Sequence, residues 1–239
     1  SRPTTYDLRP TNARWLIPDR TQSTLVDQLL QNRGITDRDR FFHPNFERDS
    51  HDPALLPSIE LAVERILRAI QRRETIAIYA DYDADGIPGG ALLVKLLRAN
   101  GATVVSYIPN RDTEGYGLNE TAISALTEQQ VSLIITVDLG ITNRDPVATA
   151  KAAGIDVIVT DHHSIDPDRV PTDAVALVHP ALPGSSYPFR QLAGGGVAWK
   201  LAQAVAARTG RPTASELKWW LELPAISTDN SVTFGAAIL

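Results

Sequence analysis

Apolar positions in this chain of 239 residues change their period near Thr75. Before that point they recur at helical spacing. Residues 23–32 carry Leu25, Val26, Leu29 and Leu30 on one helical face, and Gly34 follows as a helix-ending glycine. Residues 37–57 are polar and interrupted by prolines, which predicts an ordered connecting loop. Residues 59–73 repeat Leu61, Ile66, Leu67 and Ile70 at helical intervals and close on a basic turn, which suits the negative end of a helix.

After Thr75, short apolar runs alternate with helical stretches. The runs at 75–80, 103–108, 133–137, 155–160 and 174–178 predict strands. Helices are predicted at 90–100, 120–129, 147–153 and 197–208, the last opened by Gly194, Gly195 and Gly196. Such alternation predicts an α/β fold, a parallel β-sheet flanked by helices on both faces, with a small helical N-terminal extension. We therefore expect an extension and connecting loop over residues 1–57 and the α/β domain over 58–239. Residues 215–223 read as helical. Residues 225–239 are mildly apolar without a stop signal, so that domain is expected to be incomplete at its C-terminus.

Three of the strand-like runs end in chemistry. The first leads into Asp81, Asp83 and Asp85, the third into Asp138, and the fourth into Asp161, His162 and His163. In an open parallel sheet, ligands bind outside the carboxyl ends of the strands where the strand order reverses. Three such ends would converge on a spot rich in oxygen and imidazole donors, which outlines a metal site and points to metal-assisted hydrolysis. In an extended conformation Asp81, Asp83 and Asp85 would point the same way, and their mutual repulsion calls for cations. Alone, the acidic run is equally an exposed turn that caps a helix, and Asp138 a simple cap. Two adjacent histidines at a strand end are harder to read as surface residues. His43, His51 and His179 sit in polar or turn contexts and read as structural.

Residues 110–118 form a polar loop after the second strand. Arg111 there suits a bidentate grip on phosphate, while Tyr116 suits either stacking on a base or packing on the core. The three glycines at 194–196 offer backbone N–H groups to an anion or serve as a close-packed helix entry.

Composition narrows the classes. There is no Cys, so disulfides, thiolate zinc sites and a cysteine nucleophile are excluded, in keeping with a cytoplasmic protein. Met is absent, so the expectation is either that Ser1 is not the natural start or that an initiator Met has been removed. No run approaches the roughly 18 apolar residues of a membrane span, and the first residues contain no signal-peptide core. A net charge of −5 argues against a basic nucleic-acid coat. It leaves a nuclease open, because bound metal offsets catalytic carboxylates. No G-x-G-x-x-G follows the first strand, which removes a plain dinucleotide-binding domain.

Taken together, residues 79–86 (YADYDADG), 107–118 (YIPNRDTEGYGL), 135–141 (ITVDLGI), 159–163 (VTDHH) and 192–201 (LAGGGVAWKL) resemble the DHH phosphoesterase superfamily, and most closely its RecJ-type single-stranded-DNA exonucleases. The resemblance extends over residues 15–228. It implies that Asp83, Asp85, Asp138 and His162 ligate two divalent ions, Mn2+ or Mg2+, with Asp81 in or beside that set. It further implies that His163 stands near the scissile phosphate, that Asp161 orients the histidines, and that Arg111 lies in the DNA-binding loop. The implied activity is two-metal hydrolysis of single-stranded DNA from the 5′ end, in the bacterial cytoplasm and in company with DNA-repair or replication proteins, with no membrane partner. The alternatives are an oligonucleotide or cyclic-dinucleotide phosphodiesterase of the same superfamily, and a catalytically degenerate scaffold with the same fold. Two departures stand out. Ile87, Pro88, Gly89 and Gly90 replace a run that commonly carries hydroxyls, and the position of a further ligating Asp falls on Ser231, with Asp229 two residues early. A core without the family's second domain is expected to show weak or absent processivity and poor activity.

Overall fold

The computed structural model describes residues 19–227, and Asp229 and Ser231 lie outside them. The chain divides into two compact units between Pro44 and Asn45. In the first, helix α1 (Leu25–Asn32) is capped by the Thr24 side chain, and Gly34 follows its end with φ +68°. Of its apolar face only Leu30 is buried there. Leu25 is 68% exposed, so the predicted face is present but largely uncovered. Helix α2 (Arg38–Phe42) completes this unit.

The connecting loop expected over 37–57 is in fact three short helical turns: α2, α3 (Phe46–Asp49) and a 3-10 turn at Pro53–Leu55. Each starts on an Asx residue whose side chain accepts a backbone N–H: Asp37, Asn45 and Asp52. Local capping thus nucleated helix where periodicity was too short to register.

The second unit alternates as predicted. Helix α4 (Ile59–Arg72) is followed by β1 (Thr75–Ala80), α5 (Gly86–Ala99), β2 (Thr103–Tyr107), α6 (Glu120–Glu128) and β3 (Val131–Val137). Then come α7 (Arg144–Ala152), β4 (Asp156–Thr160), β5 (Ala176–Val178), α8 (Gly194–Thr209), α9 (Ala214–Trp220) and α10 (Glu222–Ser227). Helices α5 and α7 begin three to four residues earlier than periodicity indicates. Pro88 fits the first turn of α5, where a missing N–H costs nothing.

All five strands are parallel, in the order β2-β1-β3-β4-β5. Alternation sorts their side chains. Ile78, Ile135 and Ile158 face the layer of α4, α5 and α8, while Tyr79, Ile134 and Val157 face α6 and α7. Covering both faces is what a parallel sheet requires. The chain leaves β1 for β2 and returns across it to β3, so the order reverses at the β1–β3 pair. Among the described residues no helix is long and apolar enough to cross a membrane.

At the amino ends of the strands, buried Arg65 of α4 pairs with Glu74 at 2.7 Å and with Asp156, and donates to the Ser132 carbonyl. Arg65→Met leaves the largely buried Glu74 carboxylate without its cation. It is expected to cost about 2–3 kcal/mol in urea unfolding, less than a fully buried pair because Asp156 is partly solvated.

Candidate metal centre

Register builds the site. Ala80 pairs with Val137, Val137 with Thr160, and Thr160 with Val178. The next residues, Asp81, Asp138, Asp161 and His179, therefore form a row across the carboxyl edge of the sheet. The ladder continues through them: Asp81 N–H donates to the Val137 carbonyl, Asp138 N–H to Thr160, and Asp161 N–H to Val178. All four are buried.

Asp138 is the centre of the row. Its φ of +64° is left-handed, a region that costs a non-glycine residue energy and clusters at functional sites. Two threonines hold that turn. Thr136 Oγ1 donates to the Leu139 carbonyl at 2.7 Å, and Thr160 Oγ1 donates to the Thr136 carbonyl at 2.6 Å. The carboxylate is 1% exposed, and neither of its oxygens accepts a backbone amide among the described residues. Its nearest charge partner is His162, whose Nε2 lies 3.1 Å from Oδ1.

Around it stand the other predicted residues. Ligand atoms of Asp81, Asp83 and Asp138 lie within 4.8 Å of one another, as do those of Asp138, His162 and His163. Asp85 Oδ2 is 3.5 Å from His162 Nε2. Residues 81–85 are not extended, as the sequence alternation implied. They form a turn in which Asp83 Oδ1 accepts the amides of Asp85 and Gly86, and Asp85 is already right-handed helical. Folding the acidic run back on itself directs Asp81 and Asp83 to Asp138, and Asp85 to His162.

Asp161 turns away from the cluster. Its Oδ1 accepts the His162 and His163 amides and contacts His163 Nδ1 at 2.8 Å, while Oδ2 accepts the Ile141 amide. His163 is therefore fixed by Asp161, with Tyr116 hydroxyl 3.3 Å from the same Nδ1 and the two rings edge to face. Arg111 is exposed and stands over the Tyr82 ring, 5.5 Å from its centroid. Gly194, Gly195 and Gly196 are the first turn of α8 rather than a lead-in to it. A Cβ on Gly194 would lie 2.1 Å from Asp138 Oδ1, and one on Gly89 would lie 3.2 Å from the Gly195 Cα. The glycines of α5 and α8 thus let the two helices close on the sheet edge. His179 is the residue that pattern reading missed. It is fully buried, and its Nε2 lies 2.9 Å from the His163 carbonyl. Its place directly after the β5 run was the available signal.

The same burial drives these groups in different directions. Burial pushes the Asp138 carboxyl up to about 7, against the pull of His162. Burial also raises Asp81. It acts on Asp161 too, but bonds from His163 and the Ile141 amide outweigh it and hold that carboxyl below the usual range. For Asp83, the Gly86 and Asp85 amides likewise outweigh burial. The Asp161 bond pushes His163 up to about 9, making it an imidazolium at neutral pH. A buried carboxylate with no amide donors, ringed by carboxylates and an imidazole, has the composition of a site for a hard divalent cation. The donor set fits Mn2+ or Mg2+.

Residues 75–226 match the model of the DHH family, N-terminal domain, and the chain belongs to that family. It is 45% identical over 183 residues to the single-stranded-DNA-specific exonuclease RecJ of Bacillus subtilis, covering 76% of this chain and 23% of that protein. It is 37% identical over 193 residues to the RecJ of Thermus thermophilus, covering 79% of this chain and 28% of that protein. A crystal structure of exonuclease RecJ bound to manganese superposes with a TM-score of 0.67 at 34% identity, over 77% of this chain and 46% of that one. The chain spans about a quarter of the length of these curated relatives.

Between pH 4 and 7 the metal-free folded state holds a proton on Asp138 that the unfolded chain releases, so stability falls as pH rises through that window. Asp138→Asn removes the charge and tolerates left-handed φ. Without metal it is expected to be more stable than the parent at pH 8, by on the order of 2 kcal/mol. The difference should close toward pH 4 in thermal melts. Gly194→Ala forces Asp138 aside. It is expected to cost about 2–3 kcal/mol and to abolish Mn2+-dependent stabilisation in the same assay.

Proposed function

We propose that this chain is the metal-dependent phosphodiester-hydrolase core of a RecJ-type exonuclease, degrading single-stranded DNA from the 5′ end. The observation that carries this reading is the buried Asp138 carboxylate, without an amide donor and set amid Asp81, Asp83, Asp85 and His162. These five residues would hold two divalent ions. When bound, such ions supply positive charge for the scissile phosphate and the attacking and leaving oxygens.

The remaining residues position and protonate. His163 has Nδ1 engaged by Asp161, which leaves Nε2 for the substrate. As an imidazolium it offers charge to the phosphate and a proton to the leaving oxygen. Arg111 grips a neighbouring phosphate, and half-exposed Tyr116 offers a face to a base. Gly194, Gly195 and Gly196 place the positive end of α8 beside Asp138. This chemistry belongs to the domain expected over residues 58–239, with 1–57 as an extension. The setting would be the bacterial cytoplasm, with DNA-repair proteins as neighbours. The names of the relatives, and the RecJ structures solved with manganese and magnesium, support the choice of substrate and metal.

The test is digestion of a 3′-labelled single-stranded oligonucleotide with Mn2+. Shortening from the 5′ end is expected, and Asp138→Ala is expected to lower the rate at least a thousandfold. Cleavage confined to dinucleotides would replace this reading with the small-substrate one. Absence of both cleavage and Mn2+ stabilisation would leave the scaffold reading.

A further inference from the structure

Residues 109–118, the loop that brings Arg111 and Tyr116 to the cluster, are held from below by two tyrosines on neighbouring strands. Tyr79 of β1 and Tyr107 of β2 are direct partners in the ladder. Their rings stack with centroids 5.2 Å apart and planes 9° from parallel. The two hydroxyls grip the loop at separate points. Tyr107 donates to Glu114 Oε1 at 2.5 Å, while Glu114 Oε2 accepts the Asn110 amide at 2.8 Å. Tyr79 donates to the Gly117 carbonyl at 3.0 Å and accepts from Asn119 Nδ2 at 3.1 Å. Asn143 closes the far end, its Oδ1 accepting the Leu118 amide.

Between these anchors the backbone has little freedom. Gly115 and Gly117 take φ values of +75° and +91°, and a Cβ on Gly117 would lie 2.9 Å from the Asn143 side chain. Tyr116 lies between the two glycines, and its hydroxyl reaches His163 Nδ1 and the Asp138 carbonyl. Arg111 follows Asn110, the residue that Glu114 secures. The stacked pair thus works as a ruler fixed to the sheet that also carries Asp81 and Asp138. Nothing in the hydrolytic chemistry uses Tyr79, Tyr107 or Glu114.

We propose that the Tyr79–Tyr107 pair, acting through Glu114 and Gly117, is a positioning device that presets the Arg111 and Tyr116 loop for single-stranded substrate while leaving metal binding to the cluster. Tyr79, Tyr107 and Glu114 are positioning residues, and the inference deepens the function proposed above and rests on it. A preset loop avoids ordering cost on binding, so the device acts on substrate affinity more than on turnover.

The variants are Tyr107→Phe and Glu114→Ala, with Glu114→Gln as the conservative partner. An amide keeps both links, accepting from Asn110 and donating to the Tyr107 oxygen. In steady-state hydrolysis of a single-stranded oligonucleotide with Mn2+, the first two are each expected to raise KM about tenfold. Their kcat should fall by less than KM rises. The double variant should be no worse than Glu114→Ala, because Glu114→Ala already removes the bond that Tyr107→Phe removes. Glu114→Gln should restore KM to within about twofold of the parent, and the Mn2+-dependent melting shift should be unchanged throughout. Amide hydrogen exchange over residues 110–117 should quicken in Tyr107→Phe and Glu114→Ala alone. Exchange reads the loop without any substrate, so it decides the device even if the parent chain cleaves nothing and the functional reading fails. Unchanged exchange, an unchanged KM in an active enzyme, or a lost Mn2+ shift would each overturn the proposal.

Discussion

Burying one unsatisfied carboxylate is the constraint around which this molecule is arranged. Asp138 lies at the end of β3 with a left-handed backbone, 1% exposure and no amide donor to either oxygen among the described residues. Such a group is costly in isolation. Its neighbourhood is shaped to hold it in place rather than to relieve it. The Thr136 and Thr160 hydroxyls lock the turn, and α8 approaches so closely that only hydrogen fits at Gly194. The acidic turn after β1 is equally tight, since a Cβ on Gly86 would lie 2.3 Å from the Asp81 carbonyl oxygen. Geometry of this kind stores a demand for positive charge at one point.

Differences among the surrounding carboxylates follow from who donates to them. Asp161 is as buried as Asp138 but is surrounded by amides and an imidazole, so it stays ionised and fixes His163. Asp83 is exposed and capped by two amides. Asp138 is left to a histidine and its acidic neighbours. Chemically identical side chains are thereby held differently, Asp161 fixing His163 while Asp81, Asp83 and Asp138 converge within reach of one cation.

Much of this was legible beforehand, and the errors are specific. The five strands and the acidic or His-bearing ends of three of them follow from apolar runs bounded by Asp. The turn at 81–85 did not follow, because its shape is set by Asp83 accepting two amides rather than by alternation. The short helices at 38–42 and 46–49 escaped because one or two turns carry no period, only a cap. Leu61 belongs to the apolar repeat of α4 but is 53% exposed, whereas Ile59, Ala62 and Val63 face the core. Alanine contributes little to an apolar pattern yet permits the closest helix approach. His179 read as a turn residue because it is separated in sequence from the other histidines. It enters the site only through the pairing of β4 with β5.

By itself the sequence determined the fold class, the residues able to bind metal and the resemblance to a phosphodiester-hydrolysing family. Those depend on local period, residue chemistry and motif order, all of which lie along the chain. Strand order and register were decided only in three dimensions, and they place Asp81, Asp138, Asp161 and His179 in one row. The same holds for the pairing of Tyr79 with Tyr107 beneath the loop at 109–118 and for the wedge of Gly194 against Asp138. The physical reason is that each of these contacts joins residues tens of positions apart. Their chemistry is written in the chain, but their distance, burial and ionisation are set by what packs against them.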